Sequence, residues 1–223
     1  MASSLPHSRL SRLQADLVDA FFAREDRLFL TGGAALAGYY LGHRTTDDLD
    51  LFGGKEVDLD AAARALRAAV DAVGATIVPQ ETHPDFRRFL VRRGAEPCVV
   101  DLVVDRSPVV DANKTAFGPV RVDTLREIAA NKICALLGRA EIKDLVDLQA
   151  LLRSNQTLEG ALADASTKDA SADPATLAWV LSEISIAPGA ALPGGVDPNE
   201  LSSFRDSTVR RLRAMAYVRA CDQ

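Results

Sequence analysis

The 223-residue sequence has little of what marks exported, membrane-spanning or nucleic-acid-coating proteins. No apolar run reaches the roughly 18–20 residues that cross a bilayer, and the first ten residues lack the apolar core of a signal peptide. Basic residues are not in excess, since the formal net charge is −5, which disfavours a protein that coats nucleic acid through its overall charge. These absences predict a cytoplasmic protein without membrane association.

Cysteine is scarce as well, with three residues that lie far apart at positions 98, 134 and 221. Their separations do not match the short spacings of cysteine-based metal sites. A few scattered thiols are typical of a reducing compartment. The cysteines therefore indicate a reducing cytosol and no zinc site.

Hydrophobic periodicity changes near residue 123 and divides the chain into two regions. The first region contains both helices and apolar strands. Helices are predicted at 8–23, 34–41 and 60–73, and strands at 28–31, 49–52, 75–79, 86–92 and 97–105. The second region reads as helical throughout, with helices predicted at 124–137, 141–153, 157–165, 174–184 and 198–219. We therefore expect an α/β domain with a mixed sheet over 1–122, a helical bundle over 123–223, and a cleft between them.

The first informative motif is Gly32-Gly33, which ends a short apolar strand and precedes a helix. Glycine lets the backbone turn sharply, and the amides at a helix N-terminus favour anions. The motif indicates a turn at which a phosphate group binds. Two glycines after a strand are also common in proteins with no such site.

Three carboxylates follow the glycine turn, at Asp48, Asp50 and Asp101. Residues at i and i+2 of a strand share a face, so Asp48 and Asp50 repel one another unless a cation lies between them. Asp101 interrupts an apolar strand, where an uncompensated carboxylate is costly. The set indicates a divalent metal site for one or two Mg²⁺ ions. Taken singly, each carboxylate also fits a solvated edge or a salt bridge.

The order of these motifs resembles the nucleotidyltransferase fold of the DNA polymerase beta superfamily. Within that superfamily, the segment from Leu125 to Leu148 is similar to the AbiEii/AbiGii branch, the toxins of type IV toxin–antitoxin systems, which include the MenT toxins. Members tend to carry a helical lysine, an arginine at the end of that helix, and then Arg-Asp-x-x-Asp-Leu. The matching residues are Lys132, Arg139, Asp144 and Asp147, whereas Lys143 stands where the arginine is usual. The resemblance covers residues 28–150.

This resemblance implies an enzyme that moves a nucleoside monophosphate from an NTP to an acceptor hydroxyl and releases pyrophosphate. It implies that the acceptor is the 3′ end of a tRNA, that the modification blocks translation, and that an antitoxin restrains the enzyme. The implied roles are triphosphate binding, Mg²⁺ binding and catalysis. The residues implied for triphosphate binding are Gly32, Gly33, Lys132 and Arg139. Those implied for metal binding are Asp48, Asp50 and Asp101, and those implied for catalysis are Asp101, Lys132 and Asp144.

The spacing in the second motif supports this assignment only in part. Lys132 lies at the border of an apolar helix face, where a lysine buries its stem and extends its ammonium into a cleft. We therefore expect that removing Lys132 weakens triphosphate binding without unfolding the protein. Asp144 and Asp147 share a helix face and could orient Lys132 or accept a proton. Two alternatives remain open. Lys132 is also compatible with an ordinary surface lysine, and Arg139 with a structural residue that stabilises the helix dipole at the end of its helix.

Two other functions fit the same residues. One is a nucleotidyltransferase for a small molecule, and the other is a catalytically silent nucleotide-binding or interaction protein. An RNA acceptor requires a local basic surface on an acidic chain. The candidates are Arg87, Arg88, Arg92 and Arg93 in one cluster, and Arg205, Arg210, Arg211 and Arg213 in the other. In a strand, Arg88 and Arg92 share one face, while Arg87 and Arg93 share the other.

Overall fold

The computed structural model describes residues 7–221, which form two compact units. The sheet unit holds the chain up to Ser107 together with Ala112–Thr124. The helical unit holds Pro108–Asp111 and the chain from Leu125 onward. In the helical unit, Glu127 accepts hydrogen bonds from the backbone N–H groups of Val110 and Asp111 at 2.8 and 2.7 Å. These bonds hold the segment Pro108–Asp111 against the first helix of that unit.

The sheet unit is built on one seven-stranded sheet. Its strands are β1 Phe29–Thr31, β2 Asp48–Gly53, β3 Thr76–His83, β4 Phe86–Arg93, β5 Glu96–Val104, β6 Lys114–Phe117 and β7 Val120–Asp123. Their spatial order is β3-β4-β5-β2-β1-β7-β6. The β2/β5 and β1/β7 pairs are parallel and the other pairs are antiparallel, so the mixed α/β sheet that the sequence predicts is confirmed.

Helices of the same unit pack against this sheet. They are α1 Arg12–Phe22, α2 Gly32–Ala35, which continues as a π-helical turn over Leu36–Tyr40, and α3 Leu59–Ala72. Ser11 and Gln14 form a capping box at the start of α1, and Asp58 caps α3, so polar side chains satisfy amides that the helices leave unpaired. Helices α1 and α3 both contact β5, and the alternating side chains Val100 and Leu102 are fully buried there.

Strands β6 and β7 are an element that the sequence analysis missed. They form an antiparallel hairpin around Gly118, which has a positive φ of 60°. Each strand has only four residues, too few for a clear alternation. The parallel pairing of Leu30 with Val122 attaches the hairpin to β1, so its position is set by a contact distant in sequence.

The described residues of the helical unit form five α-helices, all close to their predicted positions. They are α4 Leu125–Arg139, α5 Ile142–Arg153, α6 Leu158–Lys168, α7 Pro174–Glu183 and α8 Pro198–Cys221. Helix α4 packs against α5, α6 and α7, and α7 packs against α8. Side chains such as Ile133, Leu145 and Leu177 are fully buried. Among the described residues, no helix is long and apolar enough to cross a membrane.

Candidate active site

A row of polar side chains crosses the sheet at the level of the glycine turn. Asp50 lies opposite Thr31 of β1 on one side and opposite Asp101 of β5 on the other. Asp101 in turn lies opposite Arg88 of β4. Directly opposed residues on neighbouring strands project from the same face. The register therefore gathers these four residues on one face, away from the one that α1 and α3 cover.

Asp48 joins this row from the same strand as Asp50. Along β2 the half-buried Asp48 and Asp50 alternate with the buried Leu49 and Leu51, so both carboxylates lie on one face, as their spacing predicts. The hydroxyl of Thr46 hydrogen-bonds Asp48 Oδ1.

The glycine turn is packed directly onto these groups. Gly32 has a φ of +65°, and a Cβ placed on it would lie 2.1 Å from Oδ2 of Asp50. A Cβ on Gly33 would lie 2.7 Å from Nη2 of Arg44 and 3.1 Å from the hydroxyl of Thr46. The missing side chains therefore make room for protein groups as well as for a turn. Asp50 is thereby held against the start of α2.

Asp101 forms a two-point ion pair with Arg88. Arg88 Nε and Nη2 donate to Oδ1 and Oδ2 of Asp101 at 2.8 and 2.7 Å, and Asp101 is only 7% exposed. Hydrogen bonding to Asp101 holds the pKa of Arg88 above its usual range. Within the part of the chain that the structure describes, no three Asp, Glu, His or Cys side chains lie close enough to hold a metal ion together. Asp48 and Asp50 lie on the same sheet face as this ion pair.

The polar row continues beyond Thr31 to a buried cluster. The Thr31 hydroxyl donates to Oδ2 of Asp123 at 2.9 Å, and Lys114 Nζ lies 2.7 Å from Oδ1 of the same carboxylate. The Tyr40 hydroxyl donates to the backbone oxygen of Asp123 at 2.8 Å. Thr31 precedes Gly32, so this cluster fixes the strand end from which the glycine turn departs.

Lys132 lies in a second cluster, in the helical unit. Its Nζ is 2.9 Å from Oδ1 of Asp144 and 2.6 Å from Oδ2 of Asp147. Arg139 donates from Nε and Nη2 to Asp144 at 2.7 and 3.0 Å. Lys132 is 6% exposed and both carboxylates are fully buried. Two carboxylates of α5 thus hold the ammonium of Lys132, which is one of the two roles that the sequence analysis gives to Asp144 and Asp147.

The charges in this cluster stabilise one another. Burial alone would lower the pKa of Lys132, but the charges of Asp147 and Asp144 outweigh it and raise the pKa. Burial alone would raise the pKa of Asp144, but Arg139 and Lys132 outweigh it and lower the pKa. A carboxylate with a lowered pKa is a weak proton acceptor. Asp144 is therefore better suited to orienting Lys132 and Arg139 than to accepting a proton.

The first arginine cluster is split between the two faces of the sheet. Arg87 and Arg93 lie on the helix-covered face, where they pair with Asp60 of α3 and Asp16 of α1 at 3.2 and 2.6 Å. Arg88 and Arg92 lie on the face of the carboxylate row, and Arg92 is exposed. This split is the one that the two-residue period of a strand predicts.

The second arginine cluster is partly used in packing. Arg205 donates to the Ile184 backbone oxygen at 2.6 Å, and Arg211 pairs with Glu159 at 2.6 Å. Arg210 and Arg213 are exposed on α8. Among the described side chains, neither has an ion-pair partner.

Several residues of the site were not identified from the sequence as site residues. Arg44 and Thr46 lie in the segment that precedes Asp48, and both are buried against the glycine turn. Thr31 and Arg88 join the row through strand register. Four of the eight residues of β4 are arginines, so its sequence does not distinguish Arg88 from its neighbours.

Comparison with known proteins gives a consistent result. A family model described as "Nucleotidyl transferase AbiEii toxin, Type IV TA system" matches residues 15–222. No curated protein matches the chain. Three solved structures share the fold at low identity.

These structures come from two bacteria. JHP933 from Helicobacter pylori is 21% identical with a TM-score of 0.55, over 92% of this chain and 94% of the other. A putative nucleotidyltransferase from H. pylori is 22% identical with a TM-score of 0.57, over 89% and 91%. MenT4, a nucleotidyltransferase toxin from Mycobacterium tuberculosis H37Rv, is 16% identical with a TM-score of 0.53, over 90% and 80%.

Proposed function

The chain belongs to the AbiEii family of nucleotidyl transferase toxins of type IV toxin–antitoxin systems, and from this premise we propose that it transfers a nucleoside monophosphate to the 3′ end of a tRNA with the help of Mg²⁺. Nucleotidyl transfer from an NTP, and an antitoxin as partner, follow from the family. The metal, the acceptor and the residue roles are our proposal. Its setting is the cytoplasm, where NTPs and tRNA meet.

One observation carries the proposal, namely the row of Asp48, Asp50 and Asp101 on one sheet face against the turn at Gly32. Divalent Mg²⁺ prefers carboxylate oxygens, and two carboxylates one residue apart on a strand face suit one ion. Asp50 lies within contact of the position that a Gly32 side chain would fill, so the carboxylate and the turn amides face the same space. When bound, the ion would supply positive charge to the phosphates of the NTP.

The residues of the turn and of the helical unit have separate roles in this scheme. Backbone amides of Gly32 and Gly33 would bind phosphate oxygens. In the helical unit, the Arg139 side chain is 46% exposed, whereas Lys132 and Asp144 are buried. Arg139 is therefore the more accessible cation of this cluster, and Lys132 holds Asp144, which orients Arg139.

The reaction balances as a simple displacement. The acceptor hydroxyl oxygen forms a bond to the α-phosphorus, and the bond from that phosphorus to the bridging oxygen of the β-phosphate breaks. Pyrophosphate leaves with that oxygen, and the hydroxyl proton passes to a carboxylate of the row or to solvent. The chain's residues thus orient the two reactants and offset the developing charge.

The test is transfer of label from each of the four NTPs, labelled at the α-phosphorus, to total cellular RNA. We expect one NTP to label the tRNA fraction in a Mg²⁺-dependent way, and Asp50→Asn to abolish labelling while the protein stays folded. Removal of the 3′-terminal hydroxyl by periodate oxidation should also abolish it. Label on a small molecule with none on RNA would favour the small-molecule transferase.

A further inference from the structure

Arg88 holds Asp101 from the side opposite to Asp50. Strand pairing places Asp101 between Asp50 on β2 and Arg88 on β4. Two carboxylates directly opposed across a strand pair destabilise the sheet unless a cation compensates them. Arg88 supplies that compensation through two hydrogen bonds of 2.8 and 2.7 Å. The carboxylate of Asp101 therefore has a cationic partner within the sheet, without a metal ion.

The geometry of this pair conflicts with metal binding at Asp101. Both carboxylate oxygens accept a hydrogen bond from the planar guanidinium, which is the strongest arrangement for an arginine and a carboxylate. Asp101 is only 7% exposed, so little of it is open to a further ligand. Arg88 also lies 4.0 Å from Glu81, so a metal ion at Asp101 would compete with a guanidinium that two carboxylates hold in place.

The charge balance leads to the same result. Arg88 pairs with Asp101, and the buried Arg44 lies against the glycine turn beside the same carboxylates. Three carboxylates and two guanidiniums leave one net negative charge, which a single divalent cation already offsets. A second ion would have to be held by the triphosphate without a protein carboxylate of its own.

We propose that Arg88 takes the place of a second metal ion at Asp101, so that the enzyme binds one divalent cation through Asp48 and Asp50. Asp101 is then the anchor of Arg88 rather than a metal ligand. This inference rests on the proposed nucleotidyl transfer and differs from the three-carboxylate metal site that the sequence analysis expects.

The test counts bound ions rather than activity. Mn²⁺ is titrated into the full chain with a non-hydrolysable NTP analogue, and free Mn²⁺ is followed by electron paramagnetic resonance. We expect one bound ion in the wild type. Asp101→Asn should keep that ion at nearly wild-type affinity, whereas Asp50→Asn should weaken it at least about tenfold, equivalent to about 1.4 kcal/mol.

The arginine itself is tested against a neighbour on the same strand face. Arg88→Met uncovers Asp101, so we expect a second Mn²⁺ to bind, while the matched control Arg92→Met keeps one. Arg88→Lys retains a positive charge and should also keep one ion. Circular dichroism and thermal melting verify that each variant is folded. If Arg88→Met does not fold, the ion counts of the single variants Arg88→Lys and Asp101→Asn still test the inference.

Several outcomes overturn the inference. Two ions in the wild type, loss of the ion in Asp101→Asn, or a single ion in folded Arg88→Met would each contradict it while leaving nucleotidyl transfer intact. The absence of any bound ion with all NTP analogues would overturn the proposed metal-dependent function, and this inference with it.

Discussion

Replacing Lys132 with methionine leaves Asp144 and Asp147 buried without the ammonium that lies 2.9 and 2.6 Å from them. Removing one partner of a buried ion pair costs about 3–5 kcal/mol, because the remaining charge stays desolvated. For a chain of this size that loss lowers the melting temperature by about 6–20 °C. Arg139 still pairs with Asp144, so we expect the lower part of this range.

The matched control is Lys143→Met on the first turn of α5. Lys143 pairs with Glu141 at 3.0 Å, but both side chains are more than a third exposed, so its loss should cost no more than about 1 kcal/mol. Urea unfolding followed by circular dichroism measures both variants. If Lys132→Met and the wild type have the same free energy of unfolding, the ion pairs of Lys132 with Asp144 and Asp147 do not stabilise the protein and the reasoning is refuted.

The pH dependence supplies an independent check. The lowered pKa of Asp144 contributes stability that is present above its unfolded pKa and is lost as the pH falls through the folded pKa. The raised pKa of Lys132 contributes stability that is present below its unfolded pKa and is lost as the pH rises through the folded pKa. The difference in the free energy of unfolding between the wild type and Lys132→Met should therefore narrow as the pH falls below about 4, because Asp144 becomes protonated. A gap that widens at low pH would contradict the assignment.

Two further predictions concern the glycine turn and the arginine face of α8. In Gly32→Ala the new Cβ would lie 2.1 Å from Asp50 Oδ2 at a φ of +65°, so we expect a loss of about 1–3 kcal/mol from overpacking and strain in urea unfolding, together with weaker Mn²⁺ binding. If Gly32→Ala has the unfolding free energy and the Mn²⁺ affinity of the wild type, the turn does not hold Asp50 in place. Charge reversal of Arg210 and Arg213 should weaken RNA binding, leave NTP binding nearly intact and reduce the salt dependence by about one unit per lost phosphate contact. Unchanged RNA affinity at all salt concentrations would exclude this face of α8.

Much of the secondary structure could be read from the sequence because its signals are local. The apolar run around Asp101 and the alternation around Leu49 predict two strands, and the 3-4 spacing of α3 predicts a helix. The same reasoning placed both aspartates of β2 on one face. The hairpin around Gly118 was missed because its strands are short and are stabilised by pairing with β1.

The partners of the site residues could not be read from the sequence in the same way. The contact between Arg88 and Asp101 depends on the register of β4 on β5, which no local pattern encodes. The burial of Lys132 depends on how α5 packs over α4, whereas the periodicity of α4 describes one helix alone. Charged residues within apolar segments were therefore recognisable as unusual, although their compensating partners were not.

The most direct test of nucleotidyl transfer compares one NTP labelled at the α-phosphorus with the same NTP labelled at the γ-phosphorus, with total cellular RNA as acceptor. We predict that the α-label appears on tRNA, that the γ-label appears only in pyrophosphate, and that folded Asp50→Asn transfers neither. Label from the γ-phosphorus on the acceptor, or wild-type transfer by Asp50→Asn, would contradict the account.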